Sequence, residues 1–294
     1  MNFWEEVGAA GLGVGILCFA PVFHVKHRPS YPLSKIIAIT NQKGGVGKTT
    51  TAVNLSAAFA ASEVKVLVVD CDPQGNLTSG FGVQKTEGMH TLYDVMVDGK
   101  EIRDAVQRTE MEGLDILPAD KNLIGVNLEL VSHDKRESVL GNHLRKLNAE
   151  YTYILIDCPP ALDLLTLNAL MAADSVLIPI QCEFFALEGV SGLMDTIDRV
   201  RDSFGHPLEI EGILLTMYDE RTNLTRQVAA DLREFFQKEV FRTVIPRSIR
   251  LAEAPSHGKP ILLYDPGSKG SEAYIQLAKE ILTNDQKRSA QSAR

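Results

Sequence analysis

Cysteine, positive charge and long apolar runs are all in short supply in this chain, and each shortage excludes something. Four cysteines in 294 residues, Cys18, Cys71, Cys158 and Cys182, are scattered without CxxC spacing. No disulfide framework follows from that pattern, and reduced thiols in a cytoplasm are expected. The formal charge of -8 argues against a protein coated in positive potential, so any nucleic-acid binding must come from a local patch. The apolar run from Gly8 to Val22 is roughly 15 residues, short of the ~20 that a spanning helix needs. A secretory signal is also a poor fit, because the chain opens Met-Asn-Phe-Trp-Glu-Glu and its basic residues Lys26 and Arg28 follow the apolar run. Internal repeats and low-complexity segments are absent.

What is present is enough apolar content, 45%, to bury one large core. From Lys35 onward the chain alternates short Val/Ile/Leu runs with helical patterns. Strands are expected at 36–40, 64–70, 114–117, 153–157, 175–180 and 209–217. Helices are expected at 49–61, within 132–148, and at 164–173, 187–203 and 224–238. Near-continuous apolar strands mean that both sheet faces are covered, so the fold class is α/β, a doubly wound, mostly parallel sheet with helices on both faces. The organisation reads as an N-terminal extension (1–34), one folded domain (35–283) and a polar, frayed tail (284–294).

The strongest motif is Lys43-Gly44-Gly45-Val46-Gly47-Lys48-Thr49-Thr50, set between a strand and a helix. Its glycines let backbone N–H groups curl around phosphate oxygens, and the helix N-terminus adds positive dipole. Lys48 is suited to the β and γ phosphates of ATP and the Thr49 hydroxyl to Mg²⁺. Two carboxylate motifs end apolar strands, where a doubly wound sheet places its ligand. One is Val68-Val69-Asp70-Cys71-Asp72-Pro73-Gln74-Gly75. The other is Ile154-Leu155-Ile156-Asp157-Cys158-Pro159-Pro160, with Asp157 placed to hold Mg²⁺ through water. Asp70 is a metal-side candidate, with the alternative that it caps the following turn. Cys71 and Cys158 read as small buried packing residues rather than metal ligands.

Gln42 stands where an ordinary phosphate loop has its first glycine, and Lys43 precedes the double glycine. This deviant Walker A pattern resembles the ParA/MinD/nitrogenase iron-protein group of ATPases. Further segments resemble the Soj-type ParA branch over roughly 35–278: Asp72-Pro73-Gln74-Gly75-Asn76, Pro179-Ile180-Gln181-Cys182-Glu183, Thr216-Met217-Tyr218-Asp219, and the run from Ile245 to Pro260. The resemblance implies that Lys43 crosses a homodimer interface to the partner's nucleotide, that Gly44 permits close subunit approach, and that Asp72 positions the attacking water. It places the adenine near Met217 and Pro246. It also implies non-specific DNA binding through Arg221, Arg247 and Arg250, stimulation by a ParB-like partner, a nucleoid-associated location in the cytoplasm, and a role in chromosome or plasmid segregation. From Arg242 to Gly270 five Lys/Arg face two acids, a local surplus that dimerisation would double; the plainer alternative is a solvated basic edge.

A MinD-like membrane role is the alternative within the group, but residues 284–294 have no apolar face to insert, and stable membrane association is not expected. A metabolic ligase is the third reading, and Lys43 counts against it. Phe23-His24-Val25-Lys26 can be encoded as TTTCACGTGAAA, its own reverse complement, which resembles the centromere-like site of the ParB partner. Residues 1 to about 32 are therefore expected to be upstream DNA read as protein, with translation starting near Leu33; a weak anchor at 8–23 is the competing reading.

Overall fold

The computed structural model describes residues 34–292, so the expectations for the N-terminal extension lie outside the described residues. Eight strands form one sheet: β1 (Lys35–Ile39), β2 (Val66–Asp70), β3 (Gln107–Arg108), β4 (Leu114–Leu117), β5 (Tyr153–Asp157), β6 (Ser175–Gln181), β7 (Glu209–Tyr218) and β8 (Val240–Pro246). Their order is β3-β4-β2-β5-β1-β6-β7-β8. All pairings are parallel except that of the short edge strand β3 with β4.

Alternate residues of each strand feed two separate cores, as the period of two demands. Ile37, Ile39, Val66, Val68, Tyr153 and Leu155 face one layer, and Ile36, Ala38, Leu67, Val69, Ile154 and Ile156 face the other. The chain between the strands supplies helices α1 (Lys48–Ala61), α2 (Asn76–Gly80), α3 (Leu92–Met96), α4 (Ile102–Ala105), α5 (Val126–Glu129), α6 (Val139–Leu144), α7 (Leu164–Ala172), α8 (Ala186–Phe204), α9 (Asn223–Phe236), α10 (Ile249–Glu253), α11 (Ile261–Tyr264) and α12 (Lys269–Ser292). Helices α1 and α12 cover the first layer, while α7, α8 and α9 cover the second. Helix α1 is buried almost all round because α12 packs on its outer side, where Thr51 Oγ1 lies 3.3 Å from the Tyr274 hydroxyl.

The fold class is the expected one, and 114–117 and 153–157 are strands over those residues. The helix expected within 132–148 is α6, flanked by two short 3-10 turns. Strand β8 and helix α12 have no counterpart among the strands and helices expected from the sequence. The frayed tail expected at 284–294 is also corrected: α12 runs on to Ser292, because Asp285 is 1% exposed and tied into the sheet.

That tie is a buried ionic cluster at the opening of β1. Lys35 Nζ lies 2.6 Å from both Glu211 Oε2 and Asp285 Oδ1. The Tyr153 hydroxyl donates to Asp285 Oδ2 at 2.6 Å and Ser175 Oγ to Glu211 Oε2 at 2.8 Å. Burial acts to lower the Lys35 pKa, but the two carboxylates outweigh it and raise the value above that of an ordinary lysine. Removing Lys35 leaves the two buried carboxylates with the more distant Arg288 guanidinium as their cation, at 3.5 and 3.9 Å, a loss of at most about 3–5 kcal/mol. Lys35→Met is expected to lower the urea midpoint accordingly with little change in the slope of the transition; an unchanged midpoint would mean that the cluster does not hold α12 to the sheet.

Candidate functional site

The carboxyl ends of β1, β2 and β5 lie side by side, with Asp157 the register partner of Ile39 on one side and of Asp70 on the other. The glycine loop leaves β1 at this point and turns directly into α1. Gly45 and Gly47 have φ of 74° and 90°, the left-handed region that a side chain strains. A Cβ at Gly44 or Gly45 would meet nothing within 4 Å, so this stretch of backbone borders open space. Helix α1 begins with Gly47 as its cap and no side-chain cap hydrogen bond. Its first N–H groups are thus left for an anion, favoured by the helix dipole.

Three side chains hold the loop in place. Asn41 Nδ2 donates to Pro179 O of β6 at 2.8 Å, and Asn41 Oδ1 accepts from Lys43 N at 2.9 Å. Thr216 Oγ1 of β7 donates to Val46 O at 2.7 Å, and Gln42 Nε2 donates to Thr196 Oγ1 of α8 at 3.1 Å. Sequence reasoning assigned no role in the site to Asn41 or Thr216. The signal for Asn41 was its place between strand and loop, but its partner on β6 is 138 residues away in the chain.

The two lysines behave differently. Lys48 is buried, and Nζ donates to Lys43 O at 3.1 Å across the loop. Burial lowers its pKa below the ordinary lysine value against the pull of Asp157 and Asp72. The Lys43 side chain is 49% exposed and forms an ion pair with Glu183, just past the end of β6.

The carboxylates also divide. Asp70 is fully occupied: it accepts from Asp72 N at 3.2 Å, Thr78 N at 2.8 Å and Thr78 Oγ1 at 2.7 Å. Burial pushes its pKa up to about 6, with those hydrogen bonds opposing. It thereby anchors α2, which carries the Asp72 loop. Asp72 is half-buried, and its Oδ1 accepts from Gln74 N at 2.9 Å. Asp157 is 0% exposed and neither of its oxygens has a hydrogen-bond partner. Burial pushes its pKa well above the usual carboxylate range, Asp70 adds to the shift, and the nearby Thr49 hydroxyl and Lys48 ammonium oppose it. A buried carboxylate without a donor, next to a threonine hydroxyl, fits a hard cation with oxygen ligands.

Met217 and Pro246 stand at the ends of adjacent strands, where Tyr218 pairs with Pro246. Met217 has φ 48°, so β7 twists out of register directly after the Thr216 bond to the loop. Arg221 and Arg247 meet beside Asp219. Arg221 grips it with bonds of 2.8 and 2.7 Å, and Arg247 N donates to Tyr218 O at 3.1 Å. The Arg221 hydrogen bonds hold the Asp219 carboxyl down at about 2, with Arg247 contributing. Arg250 lies on α10, paired with Glu253 at 3.0 Å and Asp265 at 3.5 Å. Cys71 and Cys158 are buried free thiols among the strands, and among the described residues no group of three or more His, Cys, Asp or Glu could hold a metal.

An uncapped helix start behind a glycine loop, beside an unsatisfied carboxylate, is complementary to a phosphate chain with its cation, and this defines a P-loop nucleotide-binding protein. The comparisons narrow the class. A family model described as an AAA domain matches residues 34–210. The sporulation initiation inhibitor protein Soj of Bacillus subtilis is 53% identical over 252 residues, covering 86% of this chain and 100% of that one. The chromosome partitioning protein ParA of Caulobacter vibrioides is 51% identical over 261 residues, covering 88% and 98%. Among solved structures, the cell division ATPase MinD of Pyrococcus furiosus has a TM-score of 0.71 at 30% identity, covering 85% of this chain and 99% of that one. Cobyrinic acid a,c-diamide synthase of Mycobacterium smegmatis with bound ADP and magnesium has a TM-score of 0.75 at 35% identity, covering 89% and 97%. The chain belongs to the ParA/Soj family of chromosome-partitioning P-loop ATPases.

The unsatisfied carboxylate generates a prediction with two readouts. Asp157→Asn replaces a buried carboxyl that lacks a hydrogen-bond partner with a neutral amide, so the metal-free protein is expected to melt within a few degrees of the wild type. The same variant is expected to lose the gain in ATP affinity that Mg²⁺ gives. Because burial raises the folded pKa, binding the cation is expected to release a proton, and that gain in the wild type should grow as the pH rises. Titration calorimetry in buffers of different ionisation enthalpy checks the proton release.

Proposed function

We propose that this protein is an ATP-dependent dimerisation switch that binds DNA without sequence preference and is reset by hydrolysis on meeting a ParB-like partner. The observation that carries the reading is the position of Lys43. Its backbone is fixed to the phosphate loop, yet its side chain is half exposed and pairs with Glu183 beyond the loop. A cation held in that way is placed to act on a nucleotide bound by a second copy, in the manner of an arginine finger.

In this scheme the open N–H groups of 44–49 and the Lys48 ammonium bind the ATP phosphates. Thr49 and Asp157 would hold Mg²⁺, which when bound neutralises charge on the β and γ phosphates. Asp72, on a half-buried loop anchored through Asp70 and Thr78, orients the attacking water. The adenine lies against Met217 and Pro246. Closing two copies doubles the edge formed by Arg221, Arg247 and Arg250, so two weak patches act as one binding unit. Segregation of a chromosome or plasmid is the cellular role that the partition relatives support.

The deciding experiment is retention of DNA by the purified protein with ATP and Mg²⁺, with ADP, and with Asp72→Ala, over a salt series. Retention is expected only with ATP, falling steeply with salt, and persisting in Asp72→Ala. Dimerisation on ATP without DNA retention in any state would reduce the arginines to a solvated edge. Arg247→Ala is expected to weaken retention uniformly across sequences and to flatten the slope of log affinity against log salt by about one for each phosphate that the arginine neutralises.

A further inference from the structure

We infer that Glu183 is a positioning residue for Lys43: it holds the ammonium in the nucleotide-free subunit and must release it before the subunit can act on a partner's nucleotide. The inference rests on the switch reading above and adds to it a named regulator of the same site.

The Lys43 backbone is fixed at two points, by Asn41 Oδ1 on its N–H at 2.9 Å and by Lys48 Nζ on its carbonyl at 3.1 Å. Only the side chain is free to change partners. Glu183 is fixed with similar economy: its N–H donates to Gln181 O at 2.8 Å and its carbonyl accepts from Ala186 N at 2.9 Å. Asn41, which holds the Lys43 N–H, also bonds Pro179 O on the strand that ends two residues before Glu183. Lysine and glutamate are thus both set by the end of β6, and their ion pair closes between two anchored backbones. Neither side chain is buried, being 49% and 45% exposed, so the pair is weak enough to exchange. A phosphate chain carries more negative charge than one carboxylate and is the stronger partner once a second subunit presents it. Glu183 makes no hydrogen bond to the phosphate loop other than this one among the described residues, so its effect on the switch runs through Lys43.

Two substitutions separate geometry from charge. Glu183→Gln removes the charge, whereas Glu183→Asp keeps it but shortens the reach by one methylene. Both are expected to lower the ATP concentration that gives half-maximal dimer, measured by light scattering, by about two- to fivefold. ATP affinity of the monomer, read with a fluorescent analogue at low protein concentration, should stay unchanged. In the nucleotide-free protein, the Lys43 ¹⁵Nζ resonance, assigned with Lys43→Ala, should move in both variants. A shift in dimerisation with Glu183→Gln but not Glu183→Asp would overturn the inference in favour of general electrostatics. Weaker dimerisation in either variant would overturn it by placing Glu183 in the closed dimer's interface. An unmoved Lys43 resonance would overturn the pairing itself, whatever the outcome for dimerisation. If the wild type forms no dimer with ATP, the switch reading fails, and the resonance still decides whether Glu183 holds Lys43.

Discussion

The site is organised around a carboxylate that the fold buries and leaves without a hydrogen-bond partner. Asp157 ends a central strand between β1 and β2, 0% exposed, with both oxygens unsatisfied. Such a group is costly in a finished protein interior, and a hard cation with oxygen ligands would satisfy it. The parallel order of β2, β5 and β1 brings Asp70 and Asp157 into register and starts the phosphate loop beside them. Asp70 turns that register into structure by anchoring α2, and Asp157 keeps it available for chemistry. Two aspartates in equivalent strand positions thus differ because Thr78 gives one of them two hydrogen bonds, whereas the Thr49 hydroxyl lies near the other without completing one.

Much of this was legible in the sequence, and for physical reasons. Near-continuous apolar strands can exist only between two covered faces, so the doubly wound class followed from Ile36–Ile39, Val66–Val69 and Tyr153–Ile156 alone. The glycines at 45 and 47 were legible because positive φ is intolerant of side chains. Long-range hydrogen bonds were not: Asn41 to Pro179, Thr216 to Val46, and the Lys35 cluster with Glu211 and Asp285 join residues far apart in the chain. The C-terminal helix was missed for the same reason. Its local composition is polar, and the partners that hold it past residue 283, Lys35 and Tyr153 for Asp285 and Glu211 for Arg288, are far away in the chain.

The fold by itself leaves function open. One structural neighbour is named as a metabolic synthase and another as a cell division ATPase, at TM-scores of 0.75 and 0.71. What distinguishes the proposed switch is a second loop lysine that is half exposed and paired outside the loop. Lys48 is buried within the loop and Lys43 stands outside it, tied to Glu183. In the proposed switch the first lysine serves the subunit's own phosphates and the second a nucleotide on a second copy.

Subunit mixing tests that division most directly. Lys43→Ala keeps its own phosphate cradle but lacks the outward lysine, and Lys48→Ala keeps the outward lysine but cannot hold phosphates well. Each alone is expected to lack ATPase activity, and the mixture is expected to recover it, because one composite site then has ATP from the first subunit and Lys43 from the second. If the mixture stays as inactive as its parts while both proteins are folded and Lys43→Ala still binds ATP, Lys43 does not act across subunits and the central claim is wrong.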